Sequence, residues 1–475
     1  MTASAALIRG KLAALLLGAD GVGLYGQIDT FYRGLVQICI LSTSAGVTRC
    51  VAELHGAGDT SGIRRAFWSI TAFSVGLAAL VAGLVLICSS RISGAVMGDA
   101  RYGPFLSIVA LGLPLQALSD IAMGMLIGLR DLRAQIMITA AYTAGGAALY
   151  GGLIVRYGLA GAVYGSLATA ACACAASAFF LSRHRILRLR RQAADQFFSP
   201  ALLRAILAVG LTGGILAITD RVVLLVFRTI LIHKFGLAAN GLYQVVYSLS
   251  QLNIALAFGF VGTYLVPTLS GLQDRQRSQA EFSSALRLTV LVATLGSAVM
   301  MLYGRFVILA TYSPAFLGAM PLLRYQALGD FFRALNLLLS ATIFAVHGWK
   351  PWFVMGMSFY AAYILFFRLL LPSAGLSAIA IAYLLSQVVA CALAAAFFAR
   401  FTGMCWLRAA PLLWRSLALL LTAGALVRWG SLAMTYFLGG AALLLWARLA
   451  LTSSECRRLW LHVSSPAILL AGGHR

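Results

Sequence analysis

Apolar runs of about twenty residues follow one another along almost the whole chain, separated by short breaks. No other feature limits the fold as strongly. The runs fall near 3–17, 33–52, 66–89, 105–128, 135–155, 158–182, 202–231, 241–268, 286–310, 320–346, 351–371, 375–399, 412–428 and 432–450. Of the 475 residues, 61% are apolar and 10% charged, and the mean hydropathy is +0.92. Ordinary soluble domains carry about 25% charged residues. The sequence therefore predicts an all-α polytopic membrane protein with about fourteen spans.

The net charge of +23 comes almost entirely from arginine, since Lys11, Lys234 and Lys350 are the only lysines. Arginines crowd alternate loops: Arg64 and Arg65, Arg130 and Arg133, Arg183 to Arg191, Arg275 and Arg277, Lys350, Arg400, Arg408, Arg457 and Arg458. The opposite loops hold Arg91, Arg101, Arg156 and Lys234, with Arg428 at the edge. The rich set is cytoplasmic by the positive-inside rule, which puts both ends of this chain in the cytoplasm. The charge needs no nucleic acid to explain it, and no basic patch interleaved with aromatics is present.

The eight cysteines (Cys39, Cys50, Cys88, Cys172, Cys174, Cys391, Cys405 and Cys456) form no CxxC and have no histidine cluster beside them. They read as small packing residues, so neither a metal nor a cofactor is expected. The first apolar segment is short: Thr2–Leu17 rises about 24 Å, against a core of roughly 30 Å. Arg9 and Lys11 interrupt it. The expectation is a truncated or mis-started first helix.

The chain repeats itself. Gly18, Gly23, Leu24 and Tyr25 match Gly236, Gly241, Leu242 and Tyr243 at one spacing of 218 residues (23 to 241). Gln116-Ala117-Leu118-Ser119-Asp120 matches Gln326-Ala327-Leu328-Gly329-Asp330. Gly158 and Leu159 match Gly375 and Leu376. That third match continues through Leu167, Ala173, Cys174, Ala175, Ala178 and Phe180 against Leu384, Ala390, Cys391, Ala392, Ala395 and Phe397. The matches keep one order and nearly one spacing. Each repeat holds six spans, and an even number preserves orientation, so the halves are parallel repeats about an axis along the membrane normal. The expected organisation is an N-terminal lobe, 1–182, a basic cytoplasmic linker, 183–200, a C-terminal lobe, 201–400, and an extra helix pair with a tail, 401–475. The lobes should enclose a central cavity.

Charges within spans carry the functional signal, because an arginine at the bilayer centre costs about 2.5–3.5 kcal/mol on insertion scales. Arg33 and Arg49 lie on the second span, near opposite faces, with Gly46 able to bend the helix between them. Each can snorkel to a membrane surface instead of lining a cavity. Arg221 and Arg228 are seven apart and share a helix face. Asp220 is adjacent to Arg221 and is not expected to face it. Asp330 and Arg333 can pair at i, i+3. Asp120 follows Pro114, which should kink the fourth span. Asp120, Asp220 and Asp330 are ion-coupling candidates, although an intramembrane carboxylate can also serve to hold helices together. Arg9, Arg33, Arg49, Arg221, Arg228 and Arg333 are the substrate-binding candidates. Guanidinium forks match phosphate oxygens, so the expected substrate is anionic, a phosphate or diphosphate.

Several stretches carry a family resemblance: GKLAALLLGADGVGLYGQ at the start, then AGVTRCVAE with Arg64-Arg65. MGDARY (Met97–Tyr102), GLRDLRA (Gly128–Ala134), YLVPTLSGL (Tyr264–Leu272) and LGDFFRALN (Leu328–Asn336) add to it. Over about residues 10–400 the chain resembles Wzx-type polysaccharide flippases, those for O-antigen and enterobacterial common antigen units. Their superfamily also holds the lipid II flippase MurJ and the MATE exporters. The resemblance implies two six-helix lobes around a cationic cavity in the bacterial inner membrane. It implies translocation of an undecaprenyl-diphosphate-linked oligosaccharide to the periplasmic leaflet, with ion-coupled antiport. A polysaccharide polymerase and glycosyltransferases are the partners such a pathway implies. The short first helix and the extra C-terminal pair depart from the twelve-helix Wzx pattern. The competing expectation is a MATE-type exporter of small molecules, which the arginine excess disfavours. No long outer loop or acidic catalytic pair suggests an enzyme.

Overall fold

The computed structural model describes residues 2–41, 43–183, 198–261, 265, 268–269, 275–401 and 410–450. Most of the expected basic linker, most of Tyr264–Leu272, and Arg408, Arg457 and Arg458 lie outside the described residues. Among those described, every regular element is a helix: α1 Thr2–Ile40, α2 Thr43–Gly56, α3 Thr60–Met97, α4 Gly103–Ala110, α5 Gly112–Gly128, α6 Leu132–Arg183, α7 Pro200–Phe260, α8 Arg275–Leu302, α9 Gly304–Thr311, α10 Met320–His347, α11 Trp349–Ala374, α12 Ala378–Phe401, α13 Ala410–Trp429 and α14 Leu432–Ala450.

Among the described residues, nine stretches are long and apolar enough to cross a bilayer, or ten when Pro200–Gly259, bent by 59°, is counted as one. Four of the ten contain a glycine in the left-handed region: Gly18 (φ 64°), Gly158 (φ 56°), Gly236 (φ 86°) and Gly375 (φ 55°). At each the chain doubles back. Tyr150 packs on Gly165, and Thr169 packs on Gly146 across Gly158. Arg221 Nη1 donates to Tyr247 Oη at 3.1 Å across Gly236; a straight helix would part these residues by about 39 Å. Tyr363 Oη donates to the Ile379 carbonyl at 3.3 Å across Gly375. Arg9 and Tyr25, on either side of Gly18, both reach the Tyr150 ring. Each of these four stretches is therefore a hairpin of two helical segments rather than one straight span. Only glycine takes these backbone angles without strain. The four form the two pairs matched in the repeat, Gly18 with Gly236 and Gly158 with Gly375.

The repeat is also visible in packing. A Cβ on Gly23 would overlap the Leu237 carbonyl oxygen, and a Cβ on Gly241 would overlap that of Ala19. Ala19 and Leu237 share the 218-residue spacing of the two glycines. Residue i thus touches j′ as i′ touches j, the signature of a two-fold relation. Small residues at this crossing let two backbones approach as they do in packed transmembrane helices.

Two breaks have local causes. The bend between Arg33 and Arg49 is at Leu41 (φ 48°), not at Gly46. Gly46 instead admits the Ile206 carbonyl. α4 and α5 part at Leu111, one turn before Pro114, which cannot donate to the Ala110 carbonyl. Asp59 starts α3 by accepting from the Gly62 amide at 2.7 Å. That bond and the Ser61 hydroxyl hold its carboxyl below the usual carboxylate range.

The chain forms two compact units. The first holds Met1–Leu249, Arg305–Leu322 and Gly356–Ala382; the second holds Ser250–Gly304, Leu323–Met355 and Tyr383–Arg475. The boundaries of these units differ from those of the lobes expected from the repeat. In the first unit, α5 packs on α6, α2 and α3, and α1 packs on α6. Val47, Ile63, Ile121 and Met125 centre one buried cluster there. In the second, the extra C-terminal pair, α13 and α14, packs on α8. Trp446 Nε1 donates to Ser416 Oγ at 3.2 Å, and Arg287 donates to the Ala450 carbonyl at 2.6 Å.

Candidate anion-binding site

Within the first unit, the hairpins of α1 and α7 cross at Gly23 and Gly241 and bring charged groups together beside that crossing. Arg228 is the central one. It is 0% exposed. Its guanidinium carbon lies 5.2 Å from the centre of the Tyr243 ring and 5.1 Å from that of Tyr247. A Cβ on Gly26 would stand 3.0 Å from its Nη1. None of its three guanidinium nitrogens has a hydrogen-bond partner among the described residues. Two aromatic faces stabilise a cation by about 0.5–2 kcal/mol each. Burying an ion costs several kcal/mol, so the rings do not offset it fully.

Two further arginines lie close by, and each has a carboxylate. Arg33 Nε donates to Asp29 Oδ2 at 2.7 Å, one helical turn away. Arg221 Nε is 3.6 Å from Asp220 Oδ2. This overturns the expectation that Asp220 does not face Arg221: the three-methylene stem of Arg221 is long enough to bring its guanidinium back to the carboxylate beside it. Tyr360 Oη donates to the other oxygen of Asp220 at 3.2 Å. Arg221 also donates to Tyr247, so one tyrosine serves Arg221 through its hydroxyl and Arg228 through its ring. Gly34 lies against the Arg221 Cβ, which ties Arg33 and Arg221 to one neighbourhood.

The other candidates stand apart. Arg9 donates to Thr169 Oγ1 at 3.4 Å and lies 5.5 Å from the Tyr150 ring centre, with its Nε buried and without a hydrogen bond. Arg49 is exposed and paired to Glu53 at 2.9 Å, which is the snorkelling arrangement. Asp120 is half-buried and accepts from Gln116 Nε2 at 3.0 Å. Asp330 and Arg333 belong to the second unit. Asp330 is 0% exposed and accepts from Ser250 Oγ at 2.6 Å, Tyr383 Oη at 2.9 Å and Asn253 Nδ2 at 3.3 Å. Arg333 bonds to Tyr383 in turn. The repeat-related aspartates have thus diverged, one enclosed by donors and the other loosely held.

Asp29, Tyr243 and Tyr247 are absent from the sequence-based candidates. The i, i+4 spacing of Asp29 and Arg33 was the available signal for the first. Tyr243 stood in the repeat as the match of Tyr25, but its arginine lies across a hairpin that spacing alone does not reveal. No cluster of metal-ligating side chains occurs among the described residues.

The apolar, glycine-turned hairpins define a multi-pass membrane protein. The chain belongs to the polysaccharide biosynthesis protein family, whose model matches residues 16–321. It is similar to the lipid III flippases of Escherichia coli (strain K12) and Shigella flexneri, at 23% identity over 390 residues, 81% of this chain and 92% of each of those. Among solved structures it resembles an inward-facing multidrug resistance MATE family transporter of the MOP superfamily. The TM-score is 0.73 at 15% identity, over 85% of this chain and 95% of that one. It also resembles a MOP superfamily transporter from Pyrococcus furiosus described as having a binding pocket of reverse polarity. There the TM-score is 0.55 at 14% identity, over 85% and 94%. The curated relatives it matches are flippases, and the solved structures it matches are transporters.

Proposed function

We propose that this protein moves an undecaprenyl-diphosphate-linked oligosaccharide repeat unit, of the O-antigen or common-antigen kind, from the cytoplasmic to the periplasmic leaflet of a bacterial inner membrane. The diphosphate is held by Arg228 and Arg221, with Arg33 beside them, while the polyprenyl tail stays in lipid. The repeat halves, 1–182 and 201–400, supply the alternating-access movement about a shared cavity. Asp120, Asp220 and Asp330 are the coupling carboxylates. The polymerase and glycosyltransferases of the same pathway are its partners. Both ends of this chain lie in the cytoplasm.

The observation that carries this reading is the burial of Arg228 with no hydrogen bond or direct ion pair to its guanidinium among the described residues. A guanidinium has five donors, and an acidic phosphate group satisfies several of them at once. A cationic drug would meet the same charge as repulsion, which weighs against a MATE-type exporter despite the shared fold.

The test is flipping of a fluorescent undecaprenyl-diphosphate oligosaccharide in vesicles carrying the full chain. Arg228→Ala and Arg221→Ala should each slow transport at least about tenfold, the loss of one charge-assisted contact. Full transport in both variants sinks the reading. Drug efflux by the wild type, with no flipping, favours the exporter.

A further inference from the structure

The arginine cluster carries its own anions. Two carboxylates lie in the cluster of Arg33, Arg221 and Arg228: Asp29 on Arg33 and Asp220 on Arg221. Asp220 is held on its other oxygen by Tyr360. Asp29 has no such second tether among the described contacts: its one direct partner is Arg33, whose side chain is 62% exposed while that of Asp29 is 28% exposed. Asp29 also lies three residues beyond Gly26 on α1, close to one helical turn, and a Cβ on Gly26 would stand 3.0 Å from Arg228 Nη1. A carboxylate in that position reduces the field that an incoming anion would meet.

We propose that Asp29 is the resident counter-anion of the cluster, a carboxylate that neutralises Arg33 and part of the Arg228 charge until the substrate's phosphates displace it. The inference rests on the anionic-substrate reading above. It makes Asp29 a residue that sets affinity through competition. The carboxylate lowers the cost of the empty site and weakens substrate binding by the same interaction, which favours release on the far side of the membrane. Substrate and Asp29 cannot both take the same guanidinium donors, so occupancy of one excludes the other. Its neighbour in type, Glu53, pairs with Arg49 at the same helical spacing but with both side chains exposed, at 65% and 69%. It provides a matched control.

The experiment measures binding of inorganic pyrophosphate to the purified full chain by calorimetry, at low and high salt, for the wild type, Asp29→Asn, Asp29→Glu and Glu53→Gln. Asp29→Asn should bind pyrophosphate roughly three- to tenfold more tightly, with the gain fading as salt screens it. Asp29→Glu, which keeps the charge, and Glu53→Gln should match the wild type. A purely structural aspartate predicts weaker or unchanged binding in Asp29→Asn, and either result overturns the proposal. Equal tightening in Glu53→Gln overturns it too, because the effect is then one of net charge. If the wild type binds no pyrophosphate, the anion-site reading falls and takes this proposal with it. If the wild type binds and Asp29→Asn does not bind more tightly, only the role of Asp29 falls.

Discussion

Gly23 and Gly241 lie against each other's helices with no space for a side chain at either position, although 218 residues separate them (23 to 241). A methyl at Gly23 would overlap the Leu237 carbonyl oxygen and stand 2.8 Å from the Gly241 amide nitrogen. Both obstacles are backbone and cannot rotate away. Gly23→Ala should therefore destabilise the protein by about 1–3 kcal/mol or more, read as a lower unfolding temperature in detergent. Gly76→Ala, which meets nothing within 4 Å, should be neutral or slightly stabilising. Because either methyl opens the same gap, Gly23→Ala with Gly241→Ala should cost less than the sum of the two.

The hairpin glycines test strain by itself. A Cβ at Gly18, Gly158, Gly236 or Gly375 would meet no atom within 4 Å, so the whole penalty is conformational. Alanine at each should cost about 1–3 kcal/mol, similar at all four despite different surroundings. Unfolding temperatures of the four single variants check this. A cost confined to one of them would mean that contacts, not backbone angles, decide these turns.

Arg228 opposes stability to function. Replacing it with methionine keeps much of the volume and removes a buried cation that forms no direct ion pair among the described residues. By analogy with buried ion pairs replaced by apolar residues, Arg228→Met should be neutral or stabilising, by up to about 4 kcal/mol. Flipping should be lost in the same variant. Unfolding temperature and transport, measured on one preparation, should move in opposite directions or transport should fall alone.

The two repeat-related aspartates should respond differently to neutralisation. Asp330 accepts from three side chains, so Asp330→Asn sets a donor amide against Ser250, Tyr383 or Asn253. An unsatisfied buried group of this kind costs about 1–3 kcal/mol. Asp120→Asn keeps an acceptor for Gln116 and should change stability by less than about 0.5 kcal/mol. Thermal unfolding separates the two, and equal losses would contradict the difference in their surroundings.

Arg49 should matter little. Its pair with Glu53 is solvent-facing at both ends, and such pairs contribute about 0–1 kcal/mol. Arg49→Ala should leave the unfolding temperature within about 2–4 °C of the wild type.

Hydropathy alone determined that this chain spans a membrane many times. The reason is that transfer of a segment into lipid depends on its own residues. The repeat was legible in the same way, and its matched glycines proved to be matched turns, since a left-handed backbone demands glycine wherever it occurs. The extra C-terminal pair was visible as two plain apolar runs. The pairing of charges was not. Asp29 takes Arg33, Asp220 curls onto Arg221, and Glu53 takes Arg49, which leaves Arg228 between two tyrosines from beyond a hairpin. Likewise Asp330 acquires Ser250, Asn253 and Tyr383 from other helices, while its sequence match Asp120 acquires Gln116 from its own helix. A charge's fate depends on which donors and acceptors the packed helices bring within about 3 Å of it, and only the tertiary structure decides that.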